Sequence, residues 1–146
     1  MPSPTIHASA VLIGARAVLI QGPSGSGKSG LALALVEPGV LPFARLIADD
    51  RAMVEAMHGR LLVRPPQALA GQIEVRGLGI RHLPHEPVAV VGLLVDLAAP
   101  DASRLPELTA QTRKIEGITL PRLAVAAGQA PLAQVLAYLR TCDAAA

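Results

Sequence analysis

Aromatic residues are almost missing from this chain: Phe43, Tyr138 and no tryptophan among 146 residues. Base stacking on single strands therefore has no platform. With a net charge of +2 and arginines scattered along the chain, no basic stripe marks a nucleic-acid surface either. Cys142 is the sole cysteine, so an internal disulfide is excluded and a cytoplasmic setting is expected. This thiol reads as an inert one on a terminal helix. The opening residues Met1-Pro2-Ser3-Pro4-Thr5 carry no basic region followed by an apolar one, so no signal peptide is read. The longest apolar run, residues 88–95, is too short to span a bilayer and contains Gly92. No membrane association is expected. What remains is 51% hydrophobic, a core of Leu, Val, Ile and Ala, expected to form a single domain over residues 1–146.

Lysine is also scarce. Only Lys28 and Lys114 interrupt the arginines among the thirteen basic residues. Lys28 falls in Gly22-Pro23-Ser24-Gly25-Ser26-Gly27-Lys28-Ser29, a complete G-x-x-x-x-G-K-[ST] phosphate-binding loop. The apolar residues 17–20 lead in as a strand should, and the helix formers at 31–36 lead out. Such a loop turns backbone N–H groups inward, and the helix that follows presents its positive end to the phosphates. Lys28 then reaches the β/γ-phosphates and the Ser29 hydroxyl is the Mg²⁺ ligand. A compact ammonium suits a crowded set of phosphate oxygens better than a guanidinium fork. The loop predicts binding of a nucleoside triphosphate with Mg²⁺.

Hydrophobic patterning predicts strands at residues 10–13 and 17–21, joined as a hairpin at Gly14-Ala15. A helix runs from the loop to about Glu37, before Pro38-Gly39. A buried strand at 45–48 ends in Asp49-Asp50, and residues 53–57 and 61–64 make a second hairpin around His58-Gly59. A short helical turn is expected at 67–71, a central strand at 88–97 and another at 120–126. A final helix spans 131–141, with Leu132, Val135, Leu136 and Leu139 at i, i+3, i+4 and i+7. Strands outnumber helices, which departs from the usual alternation of nucleotide-binding α/β folds. His82, His85 and Glu86 are interrupted by prolines and have no third histidine close by, so they make a poor metal set.

Phosphoryl transfer needs a carboxylate on the metal side, a base for the acceptor and positive charge at the transferring group. Asp49 and Asp50 end a buried strand, the edge where ligands gather in such sheets. One can serve the metal, directly or through water, and the other can take a proton from an acceptor hydroxyl.

His7, the phosphate loop, Leu46-Ile47-Ala48-Asp49-Asp50-Arg51 and Glu74-Val75-Arg76-Gly77-Leu78-Gly79-Ile80 together resemble the catalytic domain of the HPr kinase/phosphorylase family. The last segment nearly matches that family's Glu-Ile-Arg-Gly-Leu-Gly-Ile signature, and the resemblance covers about residues 5–105. It implies a phosphate-loop α/β fold with a strand-rich mixed sheet, similar to that of phosphoenolpyruvate carboxykinase. It also implies ATP- and Mg²⁺-dependent phosphorylation of a serine of the phosphocarrier HPr or a paralogue, regulating phosphotransferase-system metabolism of carbon or nitrogen. A homo-oligomer, commonly a hexamer in the family, is implied too. Carried onto this chain, the roles are Asp50 as base, His7 beside the phosphates, and Lys28 holding them. Ser29 and Glu74 would bind Mg²⁺ with Asp49 assisting, and Arg104 would stabilise charge on the transferring group.

Three departures qualify this. The family's usual N-terminal domain has no counterpart, so a short form is expected. The loop after the signature is reduced to Arg81-His82-Leu83-Pro84-His85-Glu86-Pro87. Gly128-Gln129-Ala130-Pro131 stands where the family has an arginine-bearing loop tied to phosphorolysis, so the reverse reaction is expected to be weak or absent. Two alternatives stay open: a nucleotide-binding sensor or scaffold with degenerate catalysis, and a small-metabolite kinase.

Overall fold

The computed structural model describes residues 4–142. The reading of Met1-Pro2-Ser3 at the opening of the chain lies outside them. Strands β1 (Thr5–Ile6), β2 (Ser9–Ile13), β3 (Arg16–Gln21), β4 (Ala44–Ala48), β5 (Ala52–Met57) and β6 (Arg60–Arg64) precede the hairpin of β7 (Gln72–Val75) and β8 (Gly79–His82). β9 (Ala89–Leu97), β10 (Thr112–Ile115) and β11 (Ile118–Val125) follow. The helices are α1 (Lys28–Leu35) and α2 (Pro131–Arg140), with single helical turns at Gln67–Leu69 and Leu108–Gln111.

The main sheet runs β1-β5-β6-β9-β3-β2-β4, with β11 added beside β9 and β10 paired to β11. β9 and β11 run parallel to β3, whereas β2 is antiparallel to both β3 and β4. β3, β4, β9 and β11 therefore end at one edge of the sheet. β4 does not lie directly beside β3, because the tight β2–β3 hairpin at Gly14 inserts β2 between them. Two strand spacings put the ends of β3 and β4 about 10 Å apart.

Alternation assigns the two faces. Val11, Val18, Ile20, Leu93 and Val95 pack beneath α1 and α2, against Leu31, Leu35 and Val135. Ala10, Leu19, Leu94 and Leu120 face the other way, toward Ile47, Val54, Leu61 and Val63. β5 and β6 thus curl over the second face, and β6 comes into contact with β4. Two register shifts sharpen this curvature. In β9 the shift against β3 falls at Gly92, where a strand-interior glycine marks a bulge. In β4 the shift against β2 falls at Ile47. Leu46 then points to the helical face while Ile47 and Ala48 both join the opposite core, re-aiming the two aspartates that follow.

The expected elements are present with small changes of boundary. α1 stops at Leu35 and α2 at Arg140, so Cys142 is exposed beyond the last helix rather than on it. The β10–β11 hairpin, like β1 and the β7–β8 hairpin, is not among the elements the patterning predicts. Its turn carries Glu116 and Gly117 at φ 50° and 77°, the positive pair of a tight two-residue hairpin, as do His58 and Gly59.

Candidate functional site

The phosphate loop leaves β3 and enters α1 with close packing at its base. A Cβ on Gly22 would lie 2.5 Å from Ser26 Oγ, 3.0 Å from Leu97 Cβ and 3.1 Å from the Leu97 carbonyl oxygen. β9 is the immediate neighbour of β3, so the loop's first glycine is the residue that lets the backbone sit against the end of β9. Replacing Gly22 with alanine is expected to displace the loop and abolish nucleotide binding while the sheet stays folded. Calorimetric titration with ATP beside a circular-dichroism melt would check both halves of that expectation.

Lys28 is buried and folds back on its own loop, donating from Nζ to the carbonyls of Gly22 at 3.0 Å and Pro23 at 3.3 Å. An ammonium has three donors, and here it spans the mouth of the loop, where phosphate oxygens can take over those bonds. Ser29, in the first turn of α1, donates to Asp49 Oδ1 at 2.6 Å. With its proton committed to Asp49, the Ser29 oxygen keeps its lone pairs free for a cation.

Asp49 is held from three sides. Ser9 Oγ also donates to Oδ1, at 2.8 Å, and the backbone N–H of Glu74 donates to Oδ2 at 3.1 Å. Ser9, fully buried at the start of β2, in turn accepts the N–H of Asp50 at 3.2 Å. This serine was missed in the sequence reading, although a hydroxyl between Ala8 and Ala10 in an apolar strand signals a specific partner. β2, inserted between β3 and β4, brings that hydroxyl to the junction.

Asp50 differs in every respect. Its backbone is left-handed, φ 63°, a region aspartate enters more readily than most residues. This turns its carboxylate away from Asp49 into solvent, with the side chain 61% exposed. Its one ion-pair partner among the described residues is His7, Nδ1 to Oδ1 3.7 Å. Adjacent carboxylates thus have opposite surroundings, one fixed by donors and the other free to meet an incoming group.

The residues fit Mg²⁺. Ser29 Oγ and the Asp49 carboxylate are hard oxygen donors meeting at the loop, and the Glu74 side chain is exposed on the strand whose amide binds Asp49. No cluster of three or more His, Cys, Asp or Glu side chains forms a protein-only metal cage among the described residues. Mg²⁺ ordinarily takes one or two carboxylates and completes its shell with water and substrate phosphates. Arg104 stands apart. It is exposed in the 98–111 connection and makes no hydrogen bond or ion pair among the described residues.

That connection is anchored by a cluster the sequence reading did not identify. Arg122, 3% exposed, donates from Nε and Nη2 to Asp96 at 3.1 and 2.9 Å. It also donates to both oxygens of Asp101 at 2.9 and 2.8 Å and to the Ala110 carbonyl at 2.9 Å. Arg113 adds a second cation to Asp96 at 2.9 Å. Asp96 pairs in register with Gln21, one residue before the phosphate loop, so the cluster ties the connection to the site's edge. The hydrogen bonds from Arg122 hold the Asp101 carboxyl below its ordinary value of 3.8, against an opposing push from desolvation, and Asp101 raises Arg122 in return. Because the folded state favours ionised Asp101, its contribution is complete above pH 3.8 and is lost as pH falls through the lower, folded value. Carboxyl-carbon NMR should therefore give Asp101 an apparent pKa below 3.8, returning toward it in Arg122→Ala. A value at or above 3.8 in the unsubstituted protein would contradict the tether.

His85 packs over Gly71, where a Cβ would meet Nδ1 at 2.6 Å, and Glu86 pairs with Arg45 at 3.5 Å. Their neighbourhood also covers the outer edge of β4, through a bridge between Leu46 and His85 and a hydrogen bond from the Glu86 amide to the Leu46 carbonyl.

Comparisons with known proteins bear on the same segments. The family model described as the HPr Serine kinase C-terminal domain matches residues 1–85, the stretch that holds His7, the loop, both aspartates and Glu74. An HPr kinase/phosphorylase of Limosilactobacillus reuteri is 37% identical over 136 residues, covering 85% of this chain and 41% of that protein. The Clostridium tetani HPr kinase/phosphorylase is 39% identical over 83 residues, covering 57% of this chain and 26% of its own length. The chain thus spans about a quarter of the clostridial relative. Among solved structures, the Hpr(Ser) kinase/phosphatase from Coxiella burnetii superposes with a TM-score of 0.77 at 27% identity, over 94% of each chain. With more than half of its length matched by that family model and its fold shared with a solved relative, the chain belongs to the HPr serine kinase C-terminal domain family.

Proposed function

We propose that this protein transfers the γ-phosphoryl group of ATP, with Mg²⁺, to a serine of HPr or a paralogous phosphocarrier. The observation that carries this reading is the contrast between the two aspartates at the end of β4: Asp49 is fixed by Ser29, Ser9 and the Glu74 amide, and Asp50 is exposed beside it. A metal-linked site needs the first kind of carboxylate and an acceptor base needs the second. The names of the relatives supply the acceptor, since HPr kinase/phosphorylases act on HPr.

In this reading Lys28 and the loop amides would hold the β- and γ-phosphates, and Ser29 with Glu74 would hold the cation, with Asp49 orienting Ser29. When bound, Mg²⁺ would supply charge neutralisation to the phosphates. Asp50 takes the proton from the acceptor serine as its oxygen bonds to the γ-phosphorus. The bond from that phosphorus to the β–γ bridging oxygen breaks, and ADP leaves. His7, 3.7 Å from Asp50, stands beside the reacting groups. Arg104 enters the transition state only if the 98–111 connection carries it toward the loop. A homo-oligomer and a cytoplasmic setting accompany the reading. No described helix is long and apolar enough to cross a membrane.

The experiment is incubation with labelled ATP, Mg²⁺ and purified HPr. Label on a carrier serine supports the proposal. ATP binding without transfer would replace it with a nucleotide-binding scaffold, and label on a small metabolite with a metabolite kinase. Phosphorolysis is expected to be much slower than the forward reaction, because residues 128–131 carry no charge to hold inorganic phosphate. Pyrophosphate release from phosphoserine-carrier and phosphate, followed beside the forward assay at matched enzyme, checks this. Comparable rates would assign phosphate capture to Lys28, the loop amides and His7 instead.

A further inference from the structure

Ser9, Lys28 and Arg122 are the buried polar or charged residues among those described. Lys28 belongs to the phosphate loop, and Arg122 ties down the 98–111 connection. Ser9 has no such assignment. It is 0% exposed on β2 between Ala8 and Ala10, where a third alanine would serve packing equally well.

Register explains what its hydroxyl meets. Residues 6–10 run antiparallel to residues 48–52: Ile6 pairs with Ala52, Ala10 pairs with Ala48, and the Ala8 N–H donates to the Asp50 carbonyl at 3.1 Å. In that register Ser9 stands opposite Asp49. Its hydroxyl donates to Asp49 Oδ1 at 2.8 Å and accepts the Asp50 N–H at 3.2 Å. A hydroxyl has one proton and two lone pairs, so a single oxygen serves both neighbours. On its other side Ser9 pairs with Ile20 of β3, two residues before the phosphate loop opens at Gly22. One buried residue thus refers both aspartates to the strand that carries the loop.

Asp50 depends on this contact more than Asp49 does. Without Ser9, Asp49 keeps the Ser29 hydroxyl and the Glu74 amide as donors. Asp50 holds φ 63°, and its backbone N–H and C=O are bonded to Ser9 and Ala8. A left-handed backbone at a residue other than glycine persists where the surrounding structure over-determines it. Removing the Ser9 hydroxyl leaves the Asp50 N–H unpaired and frees the turn that aims its carboxylate. We propose that Ser9 is a positioning residue for both halves of the transfer site. Its hydroxyl orients Asp49 on the cation side and fixes the backbone from which Asp50 meets the acceptor. The proposal rests on the phosphoryl-transfer reading above. Ser9 acts only through the two aspartates, and it couples them because one oxygen bonds to both.

The test is Ser9→Ala in the full chain. Amide hydrogen exchange at Asp50 should accelerate by about 10-fold or more, since its N–H loses a buried partner, with the β3 and β9 amides unchanged. In single-turnover transfer to HPr, the Mg²⁺ requirement should rise and the plateau at saturating Mg²⁺ should fall, each by about 10-fold. ATP affinity at saturating Mg²⁺ should stay as it was. Added to Asp50→Asn, Ser9→Ala should still raise the Mg²⁺ requirement but lower the plateau no further, because the base it aims is already gone. Ser9→Thr keeps the hydroxyl and should restore slow exchange and both kinetic values. Unchanged exchange at Asp50, unchanged kinetics, or an equal fall of the plateau with and without the Asp50 carboxylate would overturn the proposal. So would a parallel loss of ATP affinity and melting temperature, which marks a purely structural role. If the unsubstituted protein labels no carrier serine, the transfer reading itself has failed. Asp50 exchange and the Mg²⁺ dependence of ATP binding then still decide whether Ser9 holds the two aspartates.

Discussion

Asp50→Asn is expected to slow phosphoryl transfer to the carrier by about 10²–10⁴-fold, the usual contribution of a positioned general base, with ATP affinity nearly unchanged. The separation follows from geometry. Asp50 is exposed and accepts no hydrogen bond from the loop, so removing its charge leaves Lys28, Ser29 and Asp49 as they were. Asparagine keeps the shape and the left-handed backbone, which it tolerates as well as aspartate does, but it cannot accept the serine proton. Single-turnover transfer at saturating ATP, beside calorimetric titration of the nucleotide, measures the two quantities independently. A normal transfer rate in Asp50→Asn would remove it from the base position.

Lys28→Ala should show the opposite pattern, with binding itself lost. Charge-assisted hydrogen bonds are worth up to ~3 kcal/mol, which converts to about 10²-fold in affinity. The ammonium is buried and bonded to the carbonyls of Gly22 and Pro23, so its loss also leaves the loop's mouth unbraced. Arginine is not an equivalent replacement at this position, because its planar fork is larger than the space an ammonium spans. ATP titration with and without Mg²⁺ reads the effect, and an unchanged melting profile would attribute it to binding rather than folding. Unchanged ATP affinity would contradict the assignment of the loop.

Much of this arrangement was legible in the residues. The loop names itself, because few backbones need glycine at three of six positions followed by Lys-Ser. The β2–β3 and β5–β6 hairpins declare themselves through Gly14 and His58-Gly59 between apolar runs. The family signature around Glu74 pointed to the segment whose amide binds Asp49. Long-range pairing was not legible. Nothing local in residues 9–13 says that β2 will insert between β3 and β4, so Ser9 could not be connected to Asp49, forty residues away. The Arg122 cluster joins residues on β9, β11 and the connection between them, three segments whose partners only the sheet order brings together. The β10–β11 turn at Glu116-Gly117 carries a local signal, a polar residue before glycine between apolar neighbours, but short flanking apolar runs make it a weak one.

The division of labour between Asp49 and Asp50 is the centre of this account. Its most direct test is the Mg²⁺ dependence of single-turnover transfer to HPr in Asp49→Asn and Asp50→Asn, compared with the unsubstituted protein. Asp49→Asn should raise the Mg²⁺ concentration required, because Ser29 loses the carboxylate that orients it. Asp50→Asn should keep the original Mg²⁺ requirement and lower only the plateau rate. A shifted Mg²⁺ requirement in Asp50→Asn with an unshifted one in Asp49→Asn would contradict the account and exchange the two roles.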